Sequence, residues 1–139
     1  MSEVDWCLLA WRRAFDITGR SRRKEFAYFL LVAVLGALVL FSIGIALGSG
    51  EAETMTRINM SLGLYFVAIT VPKSALTIRR LHDVEMSGWF FLLGLVPVAG
   101  LVLDAFCLLA DSNPRPNKWG VSPKFETTQR WMASEQKRA

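Results

Sequence analysis

A chain of 139 residues that is 53 % hydrophobic, with a mean hydropathy of +0.34, has room for one domain and carries more apolar side chain than a soluble domain of that size averages. Its net charge of +4 sits on the flanks of apolar blocks, which directs it to a membrane surface before nucleic acid. A single histidine excludes a histidine-rich metal centre, and two cysteines, Cys7 and Cys107, read as free thiols rather than a disulfide framework.

Residues 4–17, VDWCLLAWRRAFDI, place Val4, Cys7, Leu8, Trp11 and Phe15 at helical spacing on one face. Asp5, Arg12, Arg13 and Asp16 fall mostly on the other. Such a helix lies along the headgroups or packs on the rest of the protein, and the nearby membrane span favours the interface. Thr18-Gly19 is expected to end it, with Ser21 as N-cap of the next helix. Arg20, Arg22, Arg23 and Lys24 then stand directly before Phe26–Leu47, a run without a charged residue. A helix needs about 20 such residues to cross a bilayer core. Cations at a helix N-terminus oppose the dipole by only ~0.3–1 kcal/mol each. Anionic headgroups offset that penalty, and basic residues beside a span hold its end in the cytoplasm. The run is too long for a cleaved signal sequence and reads as a retained span.

Residues 48–59, GSGEAETMTRIN, read as a cation-poor loop on the outer side, with Glu51 and Glu53 against Arg57. A second apolar block, about 58–76, is interrupted by Pro72 and Lys73 and contains Asn59, Ser61, Gly63 and Thr70, residues typical of packed spans. Lys73 is placed to snorkel to the interface. Residues 76–89, LTIRRLHDVEMSGW, read as helix to Met86 and a turn at Ser87-Gly88. Here Arg79 and Asp83 are spaced to pair, and His82 is a candidate proton carrier or metal ligand. The cluster is consistent with a structural clamp holding the loop to headgroups or tail, with lipid-phosphate or other anion binding, and with catalysis. The third block, 89–110, carries Pro97, Gly100 and Asp104. Asp104 costs several kcal/mol unless paired or hydrated, with Lys73 and Arg79 as candidate partners. Asn117-Lys118-Trp119-Gly120 reads as a turn with an aromatic anchor, and Trp89 and Trp119 suit the headgroup level.

Cation placement bears on the third block. Three full crossings leave Arg12, Arg13, Arg20, Arg22, Arg23, Lys24, Lys73, Arg79 and Arg80 on one side. The other side then holds Arg57, Arg115, Lys118, Lys124, Arg130, Lys137 and Arg138, nine cations against seven. A re-entrant segment turning at 96–100 returns the tail and makes the count fifteen against one. The positive-inside rule favours re-entrance, whereas each half of 89–110 is too short to span alone and needs protein cover.

An ordered set of motifs carries a resemblance. The leading tryptophan helix is followed by Gly19-Arg20-Ser21-Arg22-Arg23-Lys24-Glu25-Phe26, then Ile78-Arg79-Arg80-Leu81-His82-Asp83 with Ser87-Gly88-Trp89, then Leu95-Val96-Pro97 with Gly100, and Asn117-Lys118-Trp119-Gly120. Over about residues 6–124 the chain resembles the bacterial inner-membrane proteins catalogued as domain of unknown function 805. It departs from them at residues 111–116, where a glycine-containing turn is usual, and at Trp119, where tyrosine or phenylalanine is. The resemblance implies a small polytopic inner-membrane protein and no particular activity.

The expected architecture is all-α: a polytopic integral membrane protein with two firm transmembrane helices, a third broken or re-entrant segment and an amphipathic N-terminal helix. Residues 1–124 form one helical membrane domain with spans about 26–47, 58–76 and 89–110, and 125–139 a basic tail. The expected role is a non-enzymatic, cofactor-free, multi-pass inner-membrane module with a cytoplasmic N-terminus and no nucleic-acid partner. It associates with itself or a membrane partner and engages anionic lipid through Arg20, Arg22, Arg23, Lys24, Arg79 and Arg80. Asp83, Trp89, Asn117, Trp119 and Gly120 are expected to be structural. The alternative is a small oligomeric transporter or channel with Asp104, Lys73 and His82 along a polar path.

Overall fold

A computed structural model describes residues 3–113, 115, 117–120, 122 and 136, without the side chains of Glu3, Val4, Trp6 and Cys7. The expectations for the Val4 and Cys7 side chains, and for the tail over 125–139 apart from Gln136, lie outside the described residues. The elements are α1 (Glu3–Arg12), α2 (Arg23–Ala46), α3 (Glu51–Asp83), a 3₁₀ segment (Gly88–Leu95) and α4 (Pro97–Leu109). Among the described residues there is no β-strand, only an isolated bridge between Asn117 and Gly120.

Helix α1 ends at Arg12 rather than at residue 17, because the next residues find stronger local partners than the helical ladder offers. Arg13 donates to Asp16 Oδ2 through Nε at 2.9 Å and Nη2 at 2.7 Å. Asp16 Oδ1 accepts from the Thr18 backbone N–H at 2.9 Å and from its hydroxyl. The Thr18 hydroxyl first, then Arg13, hold the Asp16 carboxyl down from 3.8 to about 2. The charged form favours the fold, so this turn is held above pH ~4 and loosens as pH falls toward 2. Ala10 is fully buried, Trp11 meets Phe29 at 6.4 Å between ring centroids, and Leu8, Trp11 and Phe15 remain exposed. The helix thus docks through Ala10 and Trp11, leaving Leu8 and part of Trp11 exposed, with Phe15 exposed beyond its end.

Helix α2 covers the first expected span. The second differs from expectation: the loop is only 47–50, and residues 51–59 already belong to α3. Pro72 does not break α3, which continues to Asp83 with the proline buried inside it. At ~1.5 Å per residue the helix is about 50 Å long, well beyond a hydrocarbon core of ~30 Å. Its C-terminal turns therefore extend past the apolar layer, which is how Arg79, Arg80 and Asp83 come to share a continuous helix with a span.

The helix closes with a Schellman arrangement. The Met86 N–H donates to Leu81 O at 2.9 Å and the Glu85 N–H to His82 O at 3.3 Å, while Met86 packs on the core cluster containing Leu81. Glu85 occupies the left-handed position, φ 64°, where glycine is the usual residue. Glu85→Gly should stabilise the protein by about 1 kcal/mol, the strain of a side chain there. The check is a raised melting temperature in detergent.

Helices α2 and α3 approach most closely through Gly36, against Tyr65, and Gly44, against Ile58. Tyr65 Oη donates to Ala33 O at 2.9 Å across that seam. Gly63, expected at a packing surface, faces open space instead. The seam uses the glycines of the more apolar helix.

The third block is broken. Eight residues of 3₁₀ helix rise and thirteen of α4 return, and Gly100 lies so close to Gly94 that a Cβ would sit 3.2 Å from Gly94 O. Its two ends meet the same end of α3: Gly88 lies against His82, and Asn113 N–H donates to Asp83 O at 3.3 Å. This is the re-entrant geometry.

The buried core, with Ala10, Phe26, Phe29, Leu76, Leu81, Leu103 and Cys107, gathers at that end. Elsewhere the helices are bare. Only 11 % of the most apolar stretch of α2, and 22 % of that of α3, is buried within the protein. A soluble core helix is covered by protein; these are not, and an exposed apolar belt of this extent is what membrane-spanning helices present.

Candidate functional site

Where α1, α2, α3 and the chain after α4 converge, three arginines point inward. Arg20 Nε donates to Asp83 Oδ1 at 2.9 Å, and Arg80 Nη1 donates to Asp83 Oδ2. One carboxylate thus bridges two guanidinium groups; Arg79, Arg80 and Asp83 are each 0 % exposed. Arg79 Nη2 donates to Glu25 Oε1 at 3.1 Å, and Ser21 Oγ to Glu25 Oε2 at 2.7 Å. The Arg79–Asp83 pair expected from spacing does not form. Asp83 is taken by Arg80 one turn back and by Arg20, while Arg79 faces Glu25 on α2.

Each arginine ties a different segment to this end. Arg79 Nη1 donates to Arg13 O at 3.0 Å and Asp16 O at 3.1 Å, holding the turn after α1. Arg80 donates to Cys107 O at 2.9 Å and to Ala110 O, satisfying the last carbonyls of α4. Arg20 donates to Asp83 O at 3.1 Å, Arg115 O at 2.8 Å and Asn113 O. Burying three guanidiniums is tolerable because carboxylates and carbonyls accept most of their hydrogens, with Arg79 Nε left without a partner.

Of the six cations expected at headgroups, Arg20, Arg79 and Arg80 are therefore engaged inside the protein. The other three, Arg22, Arg23 and Lys24, line a cavity of about 290 Å³ together with Ser112. Arg23 Nε donates to Leu108 O at 2.9 Å, and its Nη1 lies 3.7 Å from Asp111 Oδ1.

Lys73 and Asp104 form an ion pair at 2.7 Å, joining α3 to α4. Of the two partners considered for Asp104, the structure uses Lys73. His82 is elsewhere: its ring stacks on Trp119 with centroids 4.4 Å apart, and Lys118 Nζ lies 4.2 Å above the same indole. Asn117 and Gly120 exchange backbone hydrogen bonds at 3.1 and 3.0 Å, and Asn117 Nδ2 donates to His82 O at 2.9 Å. Gly120, at φ +124°, takes a conformation a side chain would strain. The 117–120 turn thus docks on the end of α3, with Trp119 over the histidine. Trp89 is exposed just beyond that end. Among the described residues, no group of three His, Cys, Asp or Glu side chains comes together as a metal site.

The sequence reading missed Glu25 and Ser112. Glu25 shows only as an acid in a basic run, and its partner Arg79 is 54 residues away. Ser112 carries no motif.

Two long apolar helices open to lipid, a short hairpin beside them and an arginine-locked end define an all-α membrane protein. The chain belongs to the family described as Protein of unknown function (DUF805), whose model matches residues 14–121. It is 32 % identical over 126 residues to the inner membrane protein YhaH of Escherichia coli (strain K12), covering 88 % of this chain and 99 % of that one. It is 31 % identical over 122 residues to the inner membrane protein YhaI of the same organism, covering 88 % and 98 %. No solved structure matches the chain.

Proposed function

We propose that this protein is a non-enzymatic, multi-pass module of the bacterial inner membrane, with its N-terminus in the cytoplasm. It engages anionic lipid through one basic face and associates with a second copy or a membrane partner through its apolar flank. The observation that carries the reading is the segregation of charge along the bundle. Exposed Arg12, Arg23, Lys24, Arg115 and Lys118 gather at the convergent end. At the other end Arg57 is paired with Glu53 at 2.6 Å, beside Glu51. Basic residues beside spans mark the cytoplasmic face, where anionic lipid attracts them by about 1 kcal/mol per residue. The names of the two relatives support the inner membrane. Arg20, Arg79 and Arg80 act beneath this face as internal clamps.

The closed Lys73–Asp104 pair supports a lock between α4 and α3 more than a conduction path, since His82 is held against Trp119 instead of joining it. The test is native mass spectrometry of the protein released from a gentle detergent. The wild type should retain phosphatidylglycerol or cardiolipin over phosphatidylethanolamine. Arg23→Gln with Lys24→Gln should weaken that retention roughly thirtyfold, two residues at the quoted value. A wild type without anionic lipid would remove the reading.

A further inference from the structure

The corner at the start of α2 has more structure than a diffuse attraction to a membrane requires. Helix α2 has Arg22 at its N-cap, in extended conformation, and no side chain caps its first turn. Serine, threonine, aspartate or asparagine normally accepts those first amide hydrogens. Here Arg22, Arg23 and Lys24 stand at the end of the helix that already carries positive potential, with Glu25 as the acid of the first turn. An anion seated in the corner would accept from the first-turn amides and neutralise the cations together, as phosphates do at helix N-termini.

A second observation is independent of the helix. Ser112, on the strand of chain leaving α4, lines the same cavity, is 5 % exposed, and its Oγ has no hydrogen-bond partner. Buried hydroxyls are normally satisfied, so one left open beside three cations points to an acceptor that belongs there. The cavity, at about 290 Å³, far exceeds the ~10–15 Å³ a single water needs. Among the described residues, two carboxylates lie near. Glu25 is turned away to Ser21 and Arg79, and Asp111 accepts from the Ser112 N–H at 2.9 Å and lies near Arg23. The three cations lining the cavity thus outnumber the one carboxylate turned toward them among the described residues.

We propose that this cavity is a discrete binding site for a phosphate group. Lys24 and the guanidiniums of Arg22 and Arg23 supply charge and directed donors, the first turn of α2 supplies amides, and Ser112 supplies its hydroxyl. The inference rests on the lipid-engaging reading only for the source of the phosphate, a lipid headgroup or a free ion.

The experiment uses the full chain in phosphatidylcholine nanodiscs, as wild type, Ser112→Ala and Lys24→Gln. One arm titrates inorganic phosphate and reads the melting temperature. The other adds phosphatidylglycerol to the discs and counts bound molecules by native mass spectrometry. Without ligand, Ser112→Ala should melt at the same temperature or higher, because it removes an unpaired buried hydroxyl. It should nevertheless weaken phosphate-group binding about tenfold, as should Lys24→Gln. A purely structural serine would not give those opposite directions. Variant-sensitive saturation by inorganic phosphate, displacing phosphatidylglycerol, identifies a free phosphate as sufficient. Variant-sensitive binding of phosphatidylglycerol alone identifies the headgroup. Equal binding by wild type and Ser112→Ala overturns the site; if Lys24→Gln still binds phosphatidylglycerol more weakly, general lipid engagement stands. No saturable binding in either arm overturns the site as well.

Discussion

Asp83→Asn is expected to destabilise the protein by about 3–5 kcal/mol, the range for removing one partner from a buried ion pair. The loss falls on two cations at once. Arg20 and Arg80 both direct a guanidinium nitrogen at this carboxylate, and side-chain exposure at the three residues is 1 % or less. Asparagine keeps the shape and one acceptor oxygen but leaves both guanidiniums without a counter-charge. Backbone carbonyls of Asn113, Arg115, Cys107 and Ala110 can still accept, so the side chains have reason to stay inside and carry the penalty with them. Thermal unfolding in detergent should show the drop, and the yield of folded protein in the membrane should fall with it. Arg57→Gln is the control, since its pair with Glu53 is about half exposed and such pairs contribute ~0–1 kcal/mol. Combining Asp83→Asn with Arg80→Met should cost less than the sum of the two single changes, because the methionine removes one of the stranded charges. Equal melting temperatures for wild type and Asp83→Asn would show that the network is not what holds this end together.

The parts of this molecule that were legible in the sequence are those set by one-dimensional composition. An uncharged run long enough to cross a bilayer announces α2, and a proline and glycine inside 89–110 announce a break. Of the charge pairs, Lys73 with Asp104 was among the candidates, but the arginine network was not legible. Spacing along one helix suggests Arg79 with Asp83, yet the partner of Arg79 comes from α2 and that of Asp83 partly from the segment before it. Contacts between residues 54 or 63 positions apart depend on which helix faces turn inward, and periodicity within one element does not carry that information. Pro72 misled for a related reason. A proline lowers local helix propensity, but in an apolar layer a broken backbone has no water to satisfy it, so α3 continues. Gly63 shows the same limit. A glycine in a span marks packing only when a neighbour approaches, and here the neighbours approach Gly36 and Gly44.

Cysteines introduced at Ser49 and Lys118 should label from opposite faces of the membrane, in a Cys7→Ser, Cys107→Ala background. Three full crossings would put both on one face, so this outcome does not depend on which face is cytoplasmic. The expectation rests on length and on contacts. Eight residues of 3₁₀ helix rise about 16 Å at ~2.0 Å each, and thirteen residues of α4 about 20 Å at ~1.5 Å each. Neither limb crosses ~30 Å of hydrocarbon alone. Laid end to end they would, but Gly94 and Gly100 are folded against each other. Arg80 also holds the last carbonyls of α4 at the end of α3 where the 3₁₀ segment began. The Lys73–Asp104 pair fixes the middle of the hairpin against α3. Straightening the hairpin would break those contacts and leave Asp104 unpaired in an apolar segment, at a cost of several kcal/mol. Labelling of both cysteines from one face would mean that the chain bears that cost, and would sink the re-entrant arrangement. Labelling from opposite faces places Arg22, Lys24 and Lys118 on the same side of the membrane, as a single basic face requires.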